Sequence, residues 1–188
     1  IAMLTGSDNS EAQVVLVDTP GIFSPKESDR LSKSMVHAAW TGVNDAEVII
    51  HVVDAPAYHR CLNNNGTSQD RLSVEDTKRV SNGLKRIDKK KIFLILNKID
   101  ELAHDLTLSL IAEFKKLEIY DEIFIVSAIN MEGINKLSEY LANLMPISPF
   151  LYPADQAADI PSRLMAAEIT REKIFLRLHD ELPYASTV

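Results

Sequence analysis

Three short segments of this sequence combine residue types that could bind a nucleotide, and the first is Asp18-Thr19-Pro20-Gly21, which follows an apolar run. A carboxylate at Asp18 could hold Mg²⁺ through a water molecule. Gly21 has no Cβ, so its backbone N–H could approach a terminal phosphate closely. The same residues would also suit a tight turn after a strand, and the segment alone does not separate these two interpretations.

The second segment, Asn97-Lys98-Ile99-Asp100, also follows an apolar run. The Asp100 carboxylate could accept two hydrogen bonds from the N1–H and N2–H₂ groups of guanine, and adenine lacks this pattern of donors. The aliphatic stem of Lys98 could lie across the flat base, while Asn97 would tie the loop together. Taken by itself, such a tetrapeptide is more often a polar loop at the start of a helix.

The third segment is Ser127-Ala128, whose backbone N–H groups could donate to the carbonyl oxygen of guanine. On its own this pair carries almost no weight. The order Asp-Thr-Pro-Gly, Asn-Lys-Ile-Asp and Ser-Ala is the informative feature, because each segment follows an apolar run and chance rarely assembles this combination.

Four short apolar runs rich in β-branched residues are predicted as strands buried on both faces. They cover residues 14–17, 48–53, 92–96 and 123–126. Helical spacing of apolar residues lies between and after them, around residues 31–39, 73–86, 106–114 and 133–145. Strands that alternate with helices predict a three-layer α/β domain with a parallel sheet. The carboxyl ends of parallel strands share one edge, so the three polar segments are expected on one rim.

A second unit is predicted after a proline-rich stretch. Pro146, Pro149, Pro153 and Pro161 fall within sixteen residues, which excludes a continuous helix and indicates an extended linker. We therefore predict a first domain over residues 1–146, a linker over 147–161 and the beginning of a second domain over 162–188. Ser162 is a suitable helix N-cap for that second unit. The apolar positions of the helix are Leu164, Met165, Ile169, Phe175 and Leu176.

Composition and charge restrict the choice of function. The net charge of −7 argues against a grip on nucleic acid by the whole surface, so any such binding must be local. Cys61 is the single cysteine, which excludes an internal disulfide and favours a reducing compartment such as the cytoplasm. No apolar run approaches the roughly 20 residues of a transmembrane helix. The sequence begins with Ile1 and not with Met, which is consistent with a fragment of a longer protein.

The three segments in this order resemble the switch-two, guanine-specificity and last nucleotide loops of the translation-factor-like GTPases. A second set of residues narrows the resemblance to the Era-type GTPases. The sequences YPAD at 152–155, RLMAAEITREK at 163–173 and ELPY at 181–184 look like the passage that joins the GTPase domain of that family to its KH domain. The resemblance implies the sheet of a P-loop NTPase followed by the start of a KH domain.

The resemblance also implies a function, a set of ligands and a set of partners. The chain is expected to belong to a GTPase that binds GTP or GDP with Mg²⁺ and acts on small-subunit ribosomal RNA and the 30S subunit during ribosome assembly. Gly21 would sense the γ-phosphate as the catalytic residue, and Asp18 would hold the metal. The expected location is the cytoplasm, with a peripheral contact at the inner membrane face. The implied nucleotide-binding residues are Asp18, Thr19, Pro20, Gly21, Ile22, Asn97, Lys98, Ile99, Asp100, Ser127 and Ala128.

The sequence departs from the family pattern in its phosphate loop and in its KH region. None of its six glycines is followed by Lys, so the Gly-x-x-x-x-Gly-Lys-Ser/Thr phosphate loop is not within residues 1–188. We expect these residues alone to hydrolyse GTP no faster than solution. The KH resemblance stops before the Gly-x-x-Gly loop that clamps RNA. Ile22 stands where many small GTPases carry a Gln that orients the attacking water. Era-type enzymes also have an apolar residue at this position, and an apolar side chain cannot orient water, which predicts slow intrinsic turnover.

Several other residues have more than one interpretation. His51 lies in a predicted strand and is expected to be a core residue and not a catalytic base. The spacing of the histidines and Cys61 predicts no zinc site. The basic residues from Lys85 to Lys91 could touch RNA or anionic lipid, but they also suit the solvated end of a helix. The alternative function for the whole chain is a nucleotide-free interaction module that keeps the sheet without catalysis.

Overall fold

The computed structural model describes residues 1–19, 30–87, 89–153, 156 and 161–177. Its elements are β1 Ala2–Thr5, β2 Glu11–Val14, α1 Arg30–Asp45, β3 Val48–Asp54, α2 Ala55–Leu62, α3 Ser68–Leu84, β4 Lys91–Asn97, a 3₁₀ turn Ile99–Glu101, α4 His104–Lys115, β5 Glu122–Ile125, α5 Ile134–Leu144 and α6 Ser162–Arg177. No helix within these described residues is both long enough and apolar enough to cross a membrane.

A parallel sheet with the order β3-β4-β5 forms the centre of the fold, and β4 is the middle strand. Successive side chains of a strand point to opposite faces. Leu94 and Leu96 pack with residues of α2, α3 and α4, whereas Phe93 and Ile95 pack with α5. Helices therefore cover both faces of the sheet. The predicted three-layer α/β fold with a parallel sheet is confirmed.

The prediction for residues 14–17 is wrong. The strand ends at Val14 and pairs antiparallel with β1 in a separate two-stranded sheet. Val15, Leu16 and Val17 are 39%, 60% and 71% exposed. Burial on both faces requires neighbours on both sides, and within the described residues β2 has one neighbouring strand. An apolar run indicates what could be buried and does not supply the elements that would cover it.

Helix α5 connects the small sheet to the main core. Leu4 of β1 packs against the cluster that contains Phe93 and Leu141. The side-chain oxygen of Asn143 accepts a hydrogen bond from the backbone N–H of Ser7 at 3.1 Å. The β1–β2 hairpin is therefore attached to the sheet through α5 and not through strand pairing.

Helix α2 is missing from the sequence prediction, although its signals are present. Asp54 is the N-cap, and its Oδ1 accepts a hydrogen bond from the Ala57 N–H at 2.9 Å. Proline in the first turn of a helix is favourable because the missing N–H has no intrahelical partner there. The polar segment 63–68 ends in a capping box in which Thr67 and Asp70 bond each other's backbone N–H. Helix α3 thus begins at Ser68, earlier than predicted.

His51 is a buried structural residue, as predicted. Its Nδ1 lies 2.9 Å from the hydroxyl of Tyr120, which lies 3.0 Å from the hydroxyl of Ser81. Burial lowers the pKa of His51 from 6.5 to about 4, because a charged imidazolium loses hydration there. Burial also raises the pKa of Tyr120 to about 12. Both side chains are therefore neutral near physiological pH.

We predict that His51 makes the stability of the fold depend on pH. Its folded pKa of about 4 lies below the unfolded value of 6.5, so the unfolded state binds the proton more tightly. The stabilisation is complete above the unfolded pKa and is lost as the pH falls towards the folded pKa. Between about pH 7 and about pH 5 the free energy of unfolding should fall by about 2 kcal/mol through this group.

The measurement is urea unfolding of wild type and His51→Gln at both pH values. The variant should lose about 2 kcal/mol less than wild type over this interval. His104→Gln is the matched control, because His104 is exposed at the start of α4. Identical pH dependence in wild type and His51→Gln would contradict the prediction.

Candidate functional site

Two of the three predicted segments meet at the carboxyl edge of the parallel sheet. Asn97 is the last residue of β4, and its Oδ1 accepts a hydrogen bond from the backbone N–H of Ala128 at 3.1 Å. The N–H of Ile99 donates to the carbonyl oxygen of Val126 at 3.3 Å. Asn97 therefore ties the loop after β4 to the segment that follows β5.

Lys98 turns the chain sharply after β4. Its φ of 64° lies in the left-handed region of backbone conformation, which residues other than glycine adopt at a cost in free energy. This conformation leads directly into the 3₁₀ turn Ile99–Glu101 and leaves Asp100 exposed. Within the described part of the chain, Asp100 has no hydrogen-bond or ion-pair partner. Its carboxylate therefore has its acceptor oxygens open to solvent or to a ligand.

The turn after β5 differs in detail from the prediction. The N–H of Ser127 donates to the carbonyl oxygen of Glu132 at 3.0 Å, and the N–H of Ala128 donates to Asn97. Both predicted donors are therefore used within the protein. Ser127 is fully buried, and its hydroxyl accepts a hydrogen bond from the N–H of Asn130 at 3.2 Å. The buried Ser127 side chain stabilises the turn from the protein interior, and its hydroxyl is not exposed to solvent.

The first predicted segment is only partly described. Asp18 and Thr19 are exposed beyond the end of β2, whereas Pro20, Gly21 and Ile22 lie outside the described residues. Because β2 pairs with β1 and not with the parallel sheet, the prediction that all three segments follow strands of one parallel sheet is wrong for this segment. Residues 154–155 and 181–184, which contribute to the family resemblance, are also outside the described residues.

A magnesium ion would fit the chemistry of Asp18. Among the described residues, no three His, Cys, Asp or Glu side chains lie close enough to hold a metal ion together. Mg²⁺ at nucleotide sites is bound by one or two carboxylates together with phosphate oxygens and water. A single exposed carboxylate therefore matches the protein's share of such a site.

Asp54 belongs to the same edge and was missed by the sequence analysis. Asp54 and Asn97 are directly opposite each other in the β3–β4 register. The Asp54 Oδ2 lies 2.6 Å from the ammonium of Lys98. This hydrogen bond is the main cause that raises the pKa of Lys98 above its ordinary value. An aspartate before Ala-Pro signals a helix N-cap, but nothing local signals its pairing with a lysine 44 residues away.

A second ion pair fixes α2 against α3. The Arg60 guanidinium donates to both carboxylate oxygens of Asp70, at 3.0 and 2.7 Å. These bonds hold the pKa of Asp70 well below its usual range, with a further contribution from the backbone N–H of Thr67. Two parallel bonds of this kind add geometric specificity to the contact. They keep α2, the helix that Asp54 caps, in a defined place.

Comparison with known proteins finds one matching family and several relatives. The model of the family described as 50S ribosome-binding GTPase matches residues 3–98. The chain is 51% identical over 178 residues to GTPase Era of Maricaulis maris (strain MCS10), covering 95% of this chain and 56% of that protein. It is 46% identical to GTPase Era of Caulobacter vibrioides (strain NA1000 / CB15N), covering 95% and 55%. The chain thus spans about half the length of the curated relatives it matches.

Two solved structures share the fold. One is Era in complex with MgGDPNP and nucleotides 1506–1542 of 16S ribosomal RNA, with a TM-score of 0.70, 31% identity and coverage of 89% of this chain and 51% of that chain. The other is a variant of Aquifex aeolicus Era bound to GDP.AlF4⁻, with a TM-score of 0.69, 31% identity and coverage of 88% and 51%.

We predict that Asn97→Ala loosens the turn at Ala128. The Ala128 N–H loses its acceptor, which should lower the local opening free energy by about 1 kcal/mol. Amide hydrogen exchange at Ala128 should become about 5-fold faster. Asn97→Asp is the matched variant, because a carboxylate oxygen still accepts this bond, and its exchange should stay slow. Equal exchange in Asn97→Ala and wild type would show that the hydrogen bond does not hold the turn.

We also predict that Gly133→Ala destabilises the turn that leads into α5. Gly133 has a φ of 76°, and an added Cβ would lie 2.2 Å from the carbonyl oxygen of Ile125. The free energy of unfolding should fall by at least about 2 kcal/mol. Gly42→Ala in α1 is the control, since its nearest atom, Cγ2 of Thr19, would be 3.9 Å away. That control should be neutral or stabilising by up to about 1 kcal/mol in denaturant unfolding. A neutral Gly133→Ala would contradict the role of the positive φ.

Proposed function

This chain belongs to the family of ribosome-binding GTPases that includes its Era relatives, and on that premise we propose that it is the guanine-reading part of an Era-type GTPase. One observation carries the proposal. The Asp100 carboxylate is exposed at the carboxyl edge of the parallel sheet, next to a turn that the Asn97–Ala128 hydrogen bond holds in place. Open α/β sheets bind their ligands at this edge.

We propose that each residue of the two loops has a defined part in binding the base. Asp100 accepts hydrogen bonds from the N1–H and N2–H₂ groups of guanine, and Ile99 sets the 3₁₀ turn that presents it. The stem of Lys98 covers one face of the base. Before the base binds, Asn97 holds the turn that contains Ser127 and Ala128 in place. Because both N–H donors of that turn are already bonded, we propose that Ala128 exchanges Asn97 for the guanine oxygen on binding.

The proposed reaction is in-line attack of water on the γ-phosphate of GTP. Asp18 would hold Mg²⁺ through water, and the ion would neutralise charge on the phosphate oxygens. Gly21 would donate its backbone N–H to the γ-phosphate, with Thr19 and Pro20 shaping the turn. Ile22 has no group that orients water, so turnover would be slow. Residues 1–188 contain no phosphate-loop sequence, so we propose that the groups around the β-phosphate are contributed from outside these residues.

We propose small-subunit ribosomal RNA, within the 30S subunit, as the macromolecular partner. Support comes from the Era relative whose structure contains nucleotides of 16S ribosomal RNA. Residues 1–146 would form the GTP-binding domain, 147–161 the linker and 162–188 the start of a KH domain. Helix α6 exposes the apolar side chains of Leu164 and Ile169, which is consistent with packing of this helix against the rest of a KH domain.

The proposed location is the cytoplasm, with a peripheral contact at the inner membrane face. The exposed basic side chains of Lys85, Arg86, Lys89 and Lys91 would provide such a contact with anionic lipid. The same group could contact RNA phosphates, and vesicle binding with and without competing RNA would separate the two uses.

A nucleotide-free interaction module is the second candidate function. The observation in its favour is that the N–H groups of Ser127 and Ala128 are both satisfied within the protein. Titration with GDP and with ADP separates the two functions, using the protein with whatever sequence flanks residues 1–188 in its gene. A guanine-nucleotide-binding protein should bind GDP on the order of 10²-fold or more tightly than ADP. Binding of neither nucleotide would support the interaction module.

We predict that Asp100→Asn changes the base preference of the site. The amide of Asn would donate to the C2 oxygen of xanthine, whereas it meets the N2–H₂ donor of guanine unfavourably. GDP affinity should fall on the order of 10²-fold while affinity for the xanthine diphosphate rises. Asp105→Asn in the first turn of α4 is the control and should change neither affinity. Unchanged GDP affinity in Asp100→Asn would remove this residue from the site.

A further inference from the structure

We infer that Asp54 is a positioning residue for nucleotide binding, because it anchors the ammonium of Lys98 and so holds the lysine stem in place to receive the base. This inference rests on the proposed function, since it concerns the same site. It adds a residue from the end of β3 to the base-binding part of the site, which the sequence analysis placed on the loops after β4 and β5.

The geometry of the sheet determines where the Lys98 side chain runs. Asp54 and Asn97 are register partners on neighbouring strands, and Lys98 directly follows Asn97, the last residue of β4. The ammonium of Lys98 reaches Oδ2 of Asp54 at 2.6 Å. The side chain therefore crosses the edge of the sheet from β4 towards β3, with its methylene groups along the rim and its charge at the far end.

Asp54 is the fixed partner of this pair. Its carboxylate is about one quarter exposed, whereas the Lys98 side chain is about half exposed. Oδ1 of Asp54 caps α2 through the Ala57 N–H, and the first residues of α2, Ala55 to Tyr58, are buried. The Arg60–Asp70 pair attaches the same helix to α3. An aspartate held in this way can restrain a flexible lysine. Lys98 could not restrain Asp54 in the same way, because its own side chain is not held by other contacts that the structure describes.

Other charges do not replace Asp54. Glu101 and Arg60 act on Lys98 only through longer-range electrostatics, and Arg60 is itself bonded to Asp70. Restraining a long side chain before the ligand arrives removes an entropic cost from binding. Because the ammonium is paired with Asp54 at the end of the side chain, the surface that meets the base is the aliphatic stem of Lys98 and not its charge. Loss of the carboxylate should therefore weaken binding of every nucleotide whose base stacks there.

The main test compares Asp54→Asn with wild type in the protein with its native flanking sequence. Asn is as good an N-cap as Asp, so the variant keeps the cap of α2 and loses only the charge. The Kd for GDP and the KM for GTP should each rise about 5-fold, the effect of one partly exposed ion pair. kcat should not change. The ratio of affinities for GDP and the xanthine diphosphate should also stay constant, because Asp100 reads the base edge.

Two further variants make the assignment specific. Lys98→Met keeps most of the stem without the ammonium, so it should weaken GDP binding by the same factor, and the double variant should be no weaker than either single one. Glu101→Gln removes a nearby charge that is not hydrogen-bonded to Lys98 and should leave affinity unchanged. Thermal unfolding of each variant establishes that the fold is intact.

The outcomes distinguish this inference from the proposed function. If wild type binds GDP and Asp54→Asn binds it equally well, the role of Asp54 is wrong and the function stands. Tighter binding by Asp54→Asn would mean that the ion pair competes with the nucleotide, which also overturns the inference. If wild type binds no guanine nucleotide, the function fails and the inference with it. Should Asp54→Asn not fold, Asp54→Ser gives the same comparison, and failure of both would make the carboxylate purely structural.

Discussion

Strand β4 is buried on both faces, and this burial determines how its neighbouring strands and helices are arranged. Residues Ile92 to Leu96 are all buried, with helices α2, α3 and α4 on one face and α5 on the other. A strand in this position cannot carry polar side chains, because each would need a hydrogen-bond partner inside the core. The first polar residue, Asn97, therefore comes where the strand leaves the core. The same register that buries β4 brings Asp54 beside Asn97, so packing of the sheet also determines which charged groups meet at its edge.

The sequence predicts the parts of the fold in which local pattern and final environment agree. Strands β3, β4 and β5 were predictable from their runs of apolar β-branched residues without alternation. The predicted burial on both faces is correct for β4 and wrong for β3, in which Val52 is 57% exposed. The places of Asn97 and Ala128 followed, since each comes directly after such a run. Residues 15–17 show the same apolar pattern and are exposed, because burial depends on neighbours that no local pattern contains. Helix α2 was missed although Asp54 and Pro56 signal its start, because β3 runs directly into the helix without an intervening turn.

The candidate site was predictable only in its loops. The Asp54–Lys98 pair joins residues that are 44 positions apart, and the His51–Tyr120 contact spans 69 positions. Such contacts are products of strand register and helix packing, so a sequence without an alignment carries no direct sign of them. The two N–H groups of Ser127 and Ala128 illustrate the same limit. Their residue types suit a donor turn, but whether a donor is open depends on the conformation of the following turn, which here closes Ser127 onto Glu132.

In the proposed site, the hydrogen bonds that these polar groups already make determine which of them could supply selectivity for the base. A donor that already has a protein acceptor contributes to binding only the difference between its old and new hydrogen bonds, which is small for neutral groups of similar kind. Ala128, bonded to Asn97, can therefore add little selectivity of its own. On binding, Asp100 would exchange water for the base, and within the described residues no protein hydrogen bond of its side chain would have to be broken. With adenine this carboxylate would lose water and meet no matching pair of donors, a large penalty for a charged group. In the proposed site, discrimination between the purines would thus rest on Asp100, while Asn97, Lys98 and Asp54 would determine how well the base is held.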